Sequence, residues 1–503
     1  MSNSLKNLAG QTVVYGLGTI LPRLLNYLLT PLLTYTFKPA EFGINSEIFA
    51  YIAFLNIIFI YGMETTFFNF NSKNENKEEV FNTSFSSLIT TTVILSLPFL
   101  LFAPQIAELM STPNARYLPV FIVWSVLIIA SDAFAAIPYA RLRSENKALK
   151  FSLLKLTNIV VNLLITVFFL VVCKTSYDKE ETNFYALLYN PEIGIGYVFL
   201  ATLIANLISI LLLSKQIARF KFGFNMELFK EMLRYTWPLI ILGLAGNIND
   251  TADRVMIKWL VPDKVEAQNA QGVYGACYKI AILMNIFIQA FRFAAEPFFF
   301  NKAKDKDSKI MYAVVMKYFV IFCLLLFLGT VLNLDWIKYF VDVEYRVGLK
   351  VVPILLIAYL CLGVMINLSI WFKLSGQTKF GAVISIFGAV ITVAINFIFV
   401  PEYSYMACAW ATLLAYSSMM VLSYVLGQRY FPIKYNVRAI GVYAGITVVL
   451  YLITLSYSEM DNVVIKVILN NLLILVFVWT VYKLEISNFN KLSTNVAAPT
   501  KSN

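Results

Sequence analysis

The sequence predicts an all-α polytopic membrane protein, on three observations: its composition, the length of its apolar runs and the sign of its loops. Of 503 residues, 59% are hydrophobic, 15% aromatic and only 14% charged, and the mean hydropathy is +0.72. Soluble domains are about half apolar and about a quarter charged. Apolar runs recur near residues 10–35, 44–68, 81–103, 118–138, 151–173, 195–214, 235–260, 273–300, 312–333, 351–371, 380–400, 404–426, 439–457 and 463–482, fourteen in all. Most exceed the roughly 20 residues that a helix needs to cross the hydrocarbon core. Lipid admits only helices or closed barrels, and the runs lack the alternation of barrel strands.

The loops supply an independent check, because cytoplasmic loops carry the excess of Lys and Arg. With the N-terminus inside, 24 of the 40 basic residues fall on the inner side and nine on the outer. A missed span would throw every later loop out of phase, so the bias predicts about 14 spans with both termini cytoplasmic. The net charge of +11 then reads as topology; it is spread over short loops, which argues against a nucleic-acid surface. The first run is too long to be a removed signal peptide and lacks its basic leader and cleavage site. The five cysteines lie in or beside spans with no CxxC spacing, and read as packing residues.

Taken in order, the spans form two halves. At an offset of 229 residues, GINSEIFAYIAFLNIIFI from Gly43 matches GVYGACYKIAILMNIFIQ from Gly272, with Asn56 on Asn285. The same shift lays spans 1 and 2 on spans 7 and 8, as a duplication requires. The predicted organisation is an N-terminal lobe of spans 1–6 (1–214), a basic cytoplasmic linker (215–234), a pseudo-symmetric C-terminal lobe of spans 7–12 (235–426), then spans 13–14 and a cytoplasmic tail (427–503). Repeat-built membrane proteins are often transporters, with a midplane site between the repeats.

Three segments carry a resemblance: Gly16 to Gly43, with Arg23, Pro31 and FKPAEFG; NDTADRVMIKWL around Asp253 and Arg254; and QGVY at 271–274 followed by a span ending AAEPFFF. The chain resembles the multidrug/oligosaccharidyl-lipid/polysaccharide exporter superfamily, in its polysaccharide-transporter or Wzx-like O-antigen flippase branch. The resemblance implies a V-shaped pair of six-helix lobes around a cavity that alternates between inward- and outward-facing states. It also implies the function: flipping an undecaprenyl-diphosphate-linked oligosaccharide (O-antigen, capsule or exopolysaccharide unit) across the bacterial cytoplasmic membrane. The alternatives are a cation-coupled multidrug exporter of the same superfamily and a membrane enzyme of polysaccharide assembly. The chain has no histidine and no P-loop, which argues against His-dependent catalysis and direct ATP drive.

Seven basic residues lie inside the runs, and a charge near the bilayer centre costs at least about 2.5 kcal/mol, so each needs a reason. Lys155, Lys279, Lys317 and Lys466 fall within about two turns of a predicted span end and are expected to snorkel to the headgroups. Arg254 directly follows Asp253 and stands four residues after Asp250, which favours an intrahelical ion pair over a cavity role. Arg292 and Glu296 repeat that spacing at greater depth. Arg23 has no acid within a turn and lies between Pro22 and Pro31; a substrate-facing role competes with a pair to Glu64 or Asp132 on another span.

A guanidinium grips phosphate oxygens with two parallel hydrogen bonds. Arg23 and Arg292, one per lobe, are therefore the expected diphosphate clamp; the resemblance likewise implies basic residues from the first and eighth spans. Asn26, Asn56, Asn285 and Gln289 are further substrate candidates, although amides within spans also serve helix packing. Glu64, Asp132, Asp250, Asp253 and Glu296 are candidates for a coupling ion or for ion pairs. No cofactor is expected beyond a proton or sodium gradient. The expected partners are the lipid-linked oligosaccharide, membrane lipids and a polysaccharide polymerase or glycosyltransferase; nucleic acid is not among them.

Overall fold

The computed structural model describes residues 20–145, 147–218, 220–302, 308–457, 460 and 462–497, with side chains left aside at 294, 297, 300–302 and 487–497. The first part of span 1 and the two chain ends, expected to be cytoplasmic, lie outside the described residues. Every element among the described residues is helical, apart from one isolated bridge between Thr112 and Ala115. Twelve helices are long and apolar enough to cross a membrane, and they coincide with twelve of the fourteen predicted runs. The other two are span 1, described from residue 20, and span 7, Met226–Leu260. Span 7 is a 35-residue helix, made too polar for that count by Asn247, Asn249, Asp250, Asp253 and Arg254.

Local chemistry explains where the helices begin and break. Pro31 cannot donate to the Tyr27 carbonyl, and the helix of span 1 breaks into a turn at Leu28 before resuming as Leu29–Thr36. Span 2 starts at Pro39, with the Lys38 amide donating to Glu41 Oε2 at 3.1 Å. It is interrupted by Tyr61 and Gly62, whose φ values of 37° and 71° are left-handed. Span 7 is capped by Asn225, whose side chain accepts from the Glu227 and Leu228 amides, as an N-cap should.

Buried side chains divide between the halves. One cluster runs from Ile257 to Phe477, and others are drawn mainly from Leu29 to Met232. Spans 13 (Val437–Leu455) and 14 (Val463–Ile486) are tied to span 9 by Glu485. That carboxylate pairs with Lys317 at 2.5 Å and accepts from Tyr443 at 2.6 Å and Tyr318 at 2.8 Å. Lys466 pairs with Asp335 at 2.9 Å. The snorkelling expectation for these two lysines therefore gives way to direct ion pairs.

The two segments matched by the 229-residue offset lie against each other at the end that the loop charges predict to be outer. A Cβ on Gly272 would stand 1.8 Å from the Pro39 carbonyl oxygen, and one on Gly275 would stand 2.3 Å from Ser46 Oγ. Matched positions touch in this way beside a two-fold axis. The backbone oxygen cannot yield, so Gly272→Ala is expected to lever spans 2 and 8 apart and to cost about 1–3 kcal/mol, the usual range for overpacking. Thermal unfolding of the purified protein in detergent checks this, and an unchanged Tm contradicts it.

Candidate functional site

Spans 1, 2, 4, 5 and 6 of the first half face spans 7 and 8 of the second across a cavity of about 430 Å³. The first half supplies amides and one acid: Asn26, Asn45, Asn56, Asn158, Asn162, Asn206 and Asp132. The second half supplies the cations Arg254 and Lys279. Both lie on the wall of the interface between halves, and neither is placed there by the expected clamp.

The position of Arg254 corrects the intrahelical pair expected from its spacing. Span 8 presents two tyrosines to span 7: Tyr278 donates to Asp250 Oδ1 at 2.9 Å and Tyr274 donates to Asp253 Oδ2 at 2.5 Å. Among the described residues no carboxylate comes within 4.0 Å of the guanidinium. It lies instead 4.0 Å from the centroid of the Tyr278 ring, a cation–π contact that leaves its N–H groups for the cavity. Behind it the Gln271 amide donates to the Arg254 carbonyl at 2.6 Å. The acids thus anchor the tyrosines, and Tyr278 orients the arginine.

Lys279 is likewise not a snorkelling residue. Span 8 begins at Lys264, nine residues before the predicted run, so Lys279 stands four turns into the helix. Its ammonium lies 5.9 Å from the centroid of the Tyr27 ring, and the Tyr27 hydroxyl is in the field of Arg254, Asp250 and Arg23. Arg23 is exposed one turn before Tyr27. Neither acid named for it is its partner. Glu64 pairs with Arg143 at 2.5 Å, and Asp132 accepts from Asn56 at 3.1 Å and Asn206 at 2.9 Å. The Tyr27 hydroxyl and Asn45 Oδ1 are buried without a hydrogen-bond partner among the described residues; such atoms cost stability unless something fills the need.

The remaining candidates divide. Asn26 and Asn56 line the cavity. Asn285 accepts from Gln289 at 3.3 Å one turn away, and neither residue reaches the cavity wall. Glu296 Oε1 pairs with Arg292 at 4.0 Å, as the spacing predicts, and more closely with Lys373 of span 10 at 2.5 Å, so the carboxylate is shared between the two cations. Arg292 is not among the cavity residues. The structure therefore places Arg254 and Lys279 on the cavity wall and leaves both halves of the expected clamp off it, Arg23 exposed one turn from Tyr27 and Arg292 farther along span 8.

One further group was not visible as a site in the sequence. Lys258, counted above with the outer loops, is buried, and so is Glu47 of span 2. Lys258 Nζ donates to Glu47 Oε2 at 2.7 Å and to the Met110 carbonyl at 2.5 Å. The Tyr117 hydroxyl donates to the same Glu47 oxygen, and Gln268 donates to the Ala40 carbonyl at 3.1 Å. This network closes the end of the cavity that the loop charges predict to be the outer one. The available signal was an acid, Glu47, four residues into an apolar run and a lysine one turn beyond Arg254. Among the described residues no three Cys, Asp or Glu gather as a metal site would need.

The family model for polysaccharide biosynthesis protein matches residues 8–302. Among solved structures the chain is similar to lipid II flippase MurJ in an inward closed conformation, with a TM-score of 0.70 and 15% identity over 94% of this chain and 100% of that one. It is also similar to an inward-facing multidrug resistance MATE family transporter of the MOP superfamily, with a TM-score of 0.57 and 14% identity over 83% of this chain and 97% of that one. Nothing among curated proteins matches.

Proposed function

The chain belongs to the polysaccharide biosynthesis protein family, within the multidrug/oligosaccharidyl-lipid/polysaccharide exporter superfamily, and we propose that it flips an undecaprenyl-diphosphate-linked oligosaccharide by alternating access. The observation that carries this reading is the pair Arg254 and Lys279 on the wall of a cavity between the halves, neither with a carboxylate within 4.0 Å among the described residues. Held cations with no carboxylate in contact favour a ligand of opposite charge, and a diphosphate offers several anionic oxygens to a guanidinium. The orphaned Tyr27 hydroxyl and Asn45 oxygen add unfilled hydrogen-bonding capacity beside them. Arg23, one turn from Tyr27, is exposed and off the cavity wall, and adds positive charge nearby without lining the site.

The proposed setting is the bacterial cytoplasmic membrane, with a glycosyltransferase or polymerase supplying or consuming the lipid. Any coupling to a proton or sodium gradient would use the buried acids. A cation-coupled drug exporter shares the fold, but the cations on this wall repel a cationic drug.

The test is reconstitution into liposomes, measuring transfer of a fluorescent undecaprenyl-diphosphate sugar between leaflets. Transfer by the native protein is expected, with Lys279→Met slowing it about tenfold, as the loss of one charge-assisted contact does. Arg292→Ala is expected to change the rate less than Lys279→Met. Absence of transfer, with efflux of a cationic dye instead, sinks the reading.

A further inference from the structure

A second cavity of about 360 Å³ opens within the N-terminal half. Asn56, Asp132, Asn158 and Asn206 belong to both its wall and that of the central cavity, so the two spaces adjoin as branches on either side of this shared polar partition. Hydrogen bonds join the side chains of the partition. Asn206 donates to Ser131 Oγ at 3.0 Å and to Asp132, and Asn158 donates to Asn206 at 3.0 Å and to Ser209 at 3.0 Å.

The branches differ in charge. The central one carries Arg254 and Lys279 against Asp132. The inner branch carries Lys155 against Asp132, while Glu64 is neutralised by Arg143. Lys155 corrects the snorkelling expectation, since it lines this branch with its ammonium 4.2 Å from the centroid of the Tyr139 ring. It lies in the field of Asp132, yet among the described residues no carboxylate comes within 4.0 Å of it and no acceptor takes its N–H groups. The two charges face each other without touching. A charged ligand group between them would gain from one and lose to the other while paying for its own desolvation. A hydroxyl suits both, because it can accept from the ammonium and donate to the carboxylate.

We infer that this inner branch is the sugar subsite of the chamber and that it takes uncharged, hydroxyl-rich sugars, with Lys155 and Asp132 as its specificity-determining residues. The inference rests on the proposed function, and divides its ligand: the diphosphate lies against Arg254 and Lys279, and the first sugars extend past Asn56 and Asn206 to Lys155.

The experiment compares two probes on the purified full-length protein in nanodiscs: undecaprenyl diphosphate and undecaprenyl diphosphate bearing a neutral hexose. The native protein is expected to bind the hexose-bearing lipid about tenfold more tightly, as one added hydrogen bond to a charged group provides. Lys155→Met and Asp132→Asn, both close in volume to the native residues, are expected to erase that preference; Lys155→Met, which lies off the diphosphate wall, leaves the bare lipid's affinity unchanged, whereas Asp132→Asn, which removes an anion from that wall, raises it for both lipids alike. Lys155→Gln, which keeps a donor, is expected to retain part of it. Bare-lipid binding also reports that each variant is folded. Equal affinity of the native protein for the two lipids overturns the subsite, as does loss of both lipids in every variant, or a preference that survives both Lys155→Met and Asp132→Asn. Failure of the native protein to bind either lipid removes the function reading and this inference with it, an outcome separable from the others by its first measurement.

Discussion

Arg254→Ala is expected to lower the affinity for undecaprenyl diphosphate, and the flipping rate at limiting substrate, at least a hundredfold. Truncating one member of a buried, hydrogen-bonded charge pair costs about 2–5 kcal/mol, and about 2.7 kcal/mol is a factor of one hundred. Arg254 merits the upper part of that range because its orientation is set in advance. Tyr278 stacks on the guanidinium at 4.0 Å and Gln271 holds its carbonyl, so little side-chain entropy remains to be lost on binding. Arg254→Lys keeps the charge but loses the planar fork and the ring contact; it is expected to recover only part of the affinity. Tyr278→Phe is the sharper variant. It keeps the ring but frees Asp250, four residues before Arg254 and on the same helix face, to neutralise the guanidinium. Tyr278→Phe is therefore expected to bind diphosphate lipid weakly although every cavity cation is still present. Binding of the lipid to nanodisc-embedded variants checks all three, and native affinity in Arg254→Ala would remove this residue from the site.

The reasons that Arg254 could not be graded correctly from sequence are specific. The spacing to Asp250 and Asp253 satisfies the helical pairing rule, and nothing in a linear reading shows that Tyr274 and Tyr278 reach over from the next span to take both carboxylates. Glu296 shows a related effect: it keeps the Arg292 pair at 4.0 Å, but Lys373 of span 10 joins it at 2.5 Å. Lys279 differs for another reason: the apolar run marks its end as close to the headgroups, but the helix extends nine residues beyond that run, through the polar stretch from Lys264. Lys258 stands near the end of span 7, where exposure is the sensible expectation, but packing of one half on the other covers it. What the sequence did carry was anything set by composition and period. The fourteen runs, the anomaly of cations within them and the close relation of Gly43 to Gly272 all have local signatures. Partner choice across an interface between distant spans has none.

That interface provides the second large effect. Lys258→Met is expected to open the outer end. Glu47 is fully buried; without the ammonium its carboxylate keeps only the Tyr117 hydroxyl, and its other oxygen already has no partner. Breaking a buried pair by removing one member costs about 3–5 kcal/mol, and only the conformation closed at the outer end loses that energy, since separation of the halves lets water reach Glu47. A two-state equilibrium between closed and open outer ends therefore shifts by more than a hundredfold towards open. Spin labels at Lys38 and Lys264, exposed residues on either side of the outer seam, report the change as a longer distance; the five native cysteines are buried. Under alternating access the flipping rate falls as well, because a protein held open outward rarely returns to reload. Glu47→Gln together with Lys258→Met removes both charges from the interface, and is expected to restore the short distance and much of the rate, which a merely damaged fold would not do. A native distance distribution in Lys258→Met would mean that Gly272 against Pro39, and not the ion pair, holds the outer end shut.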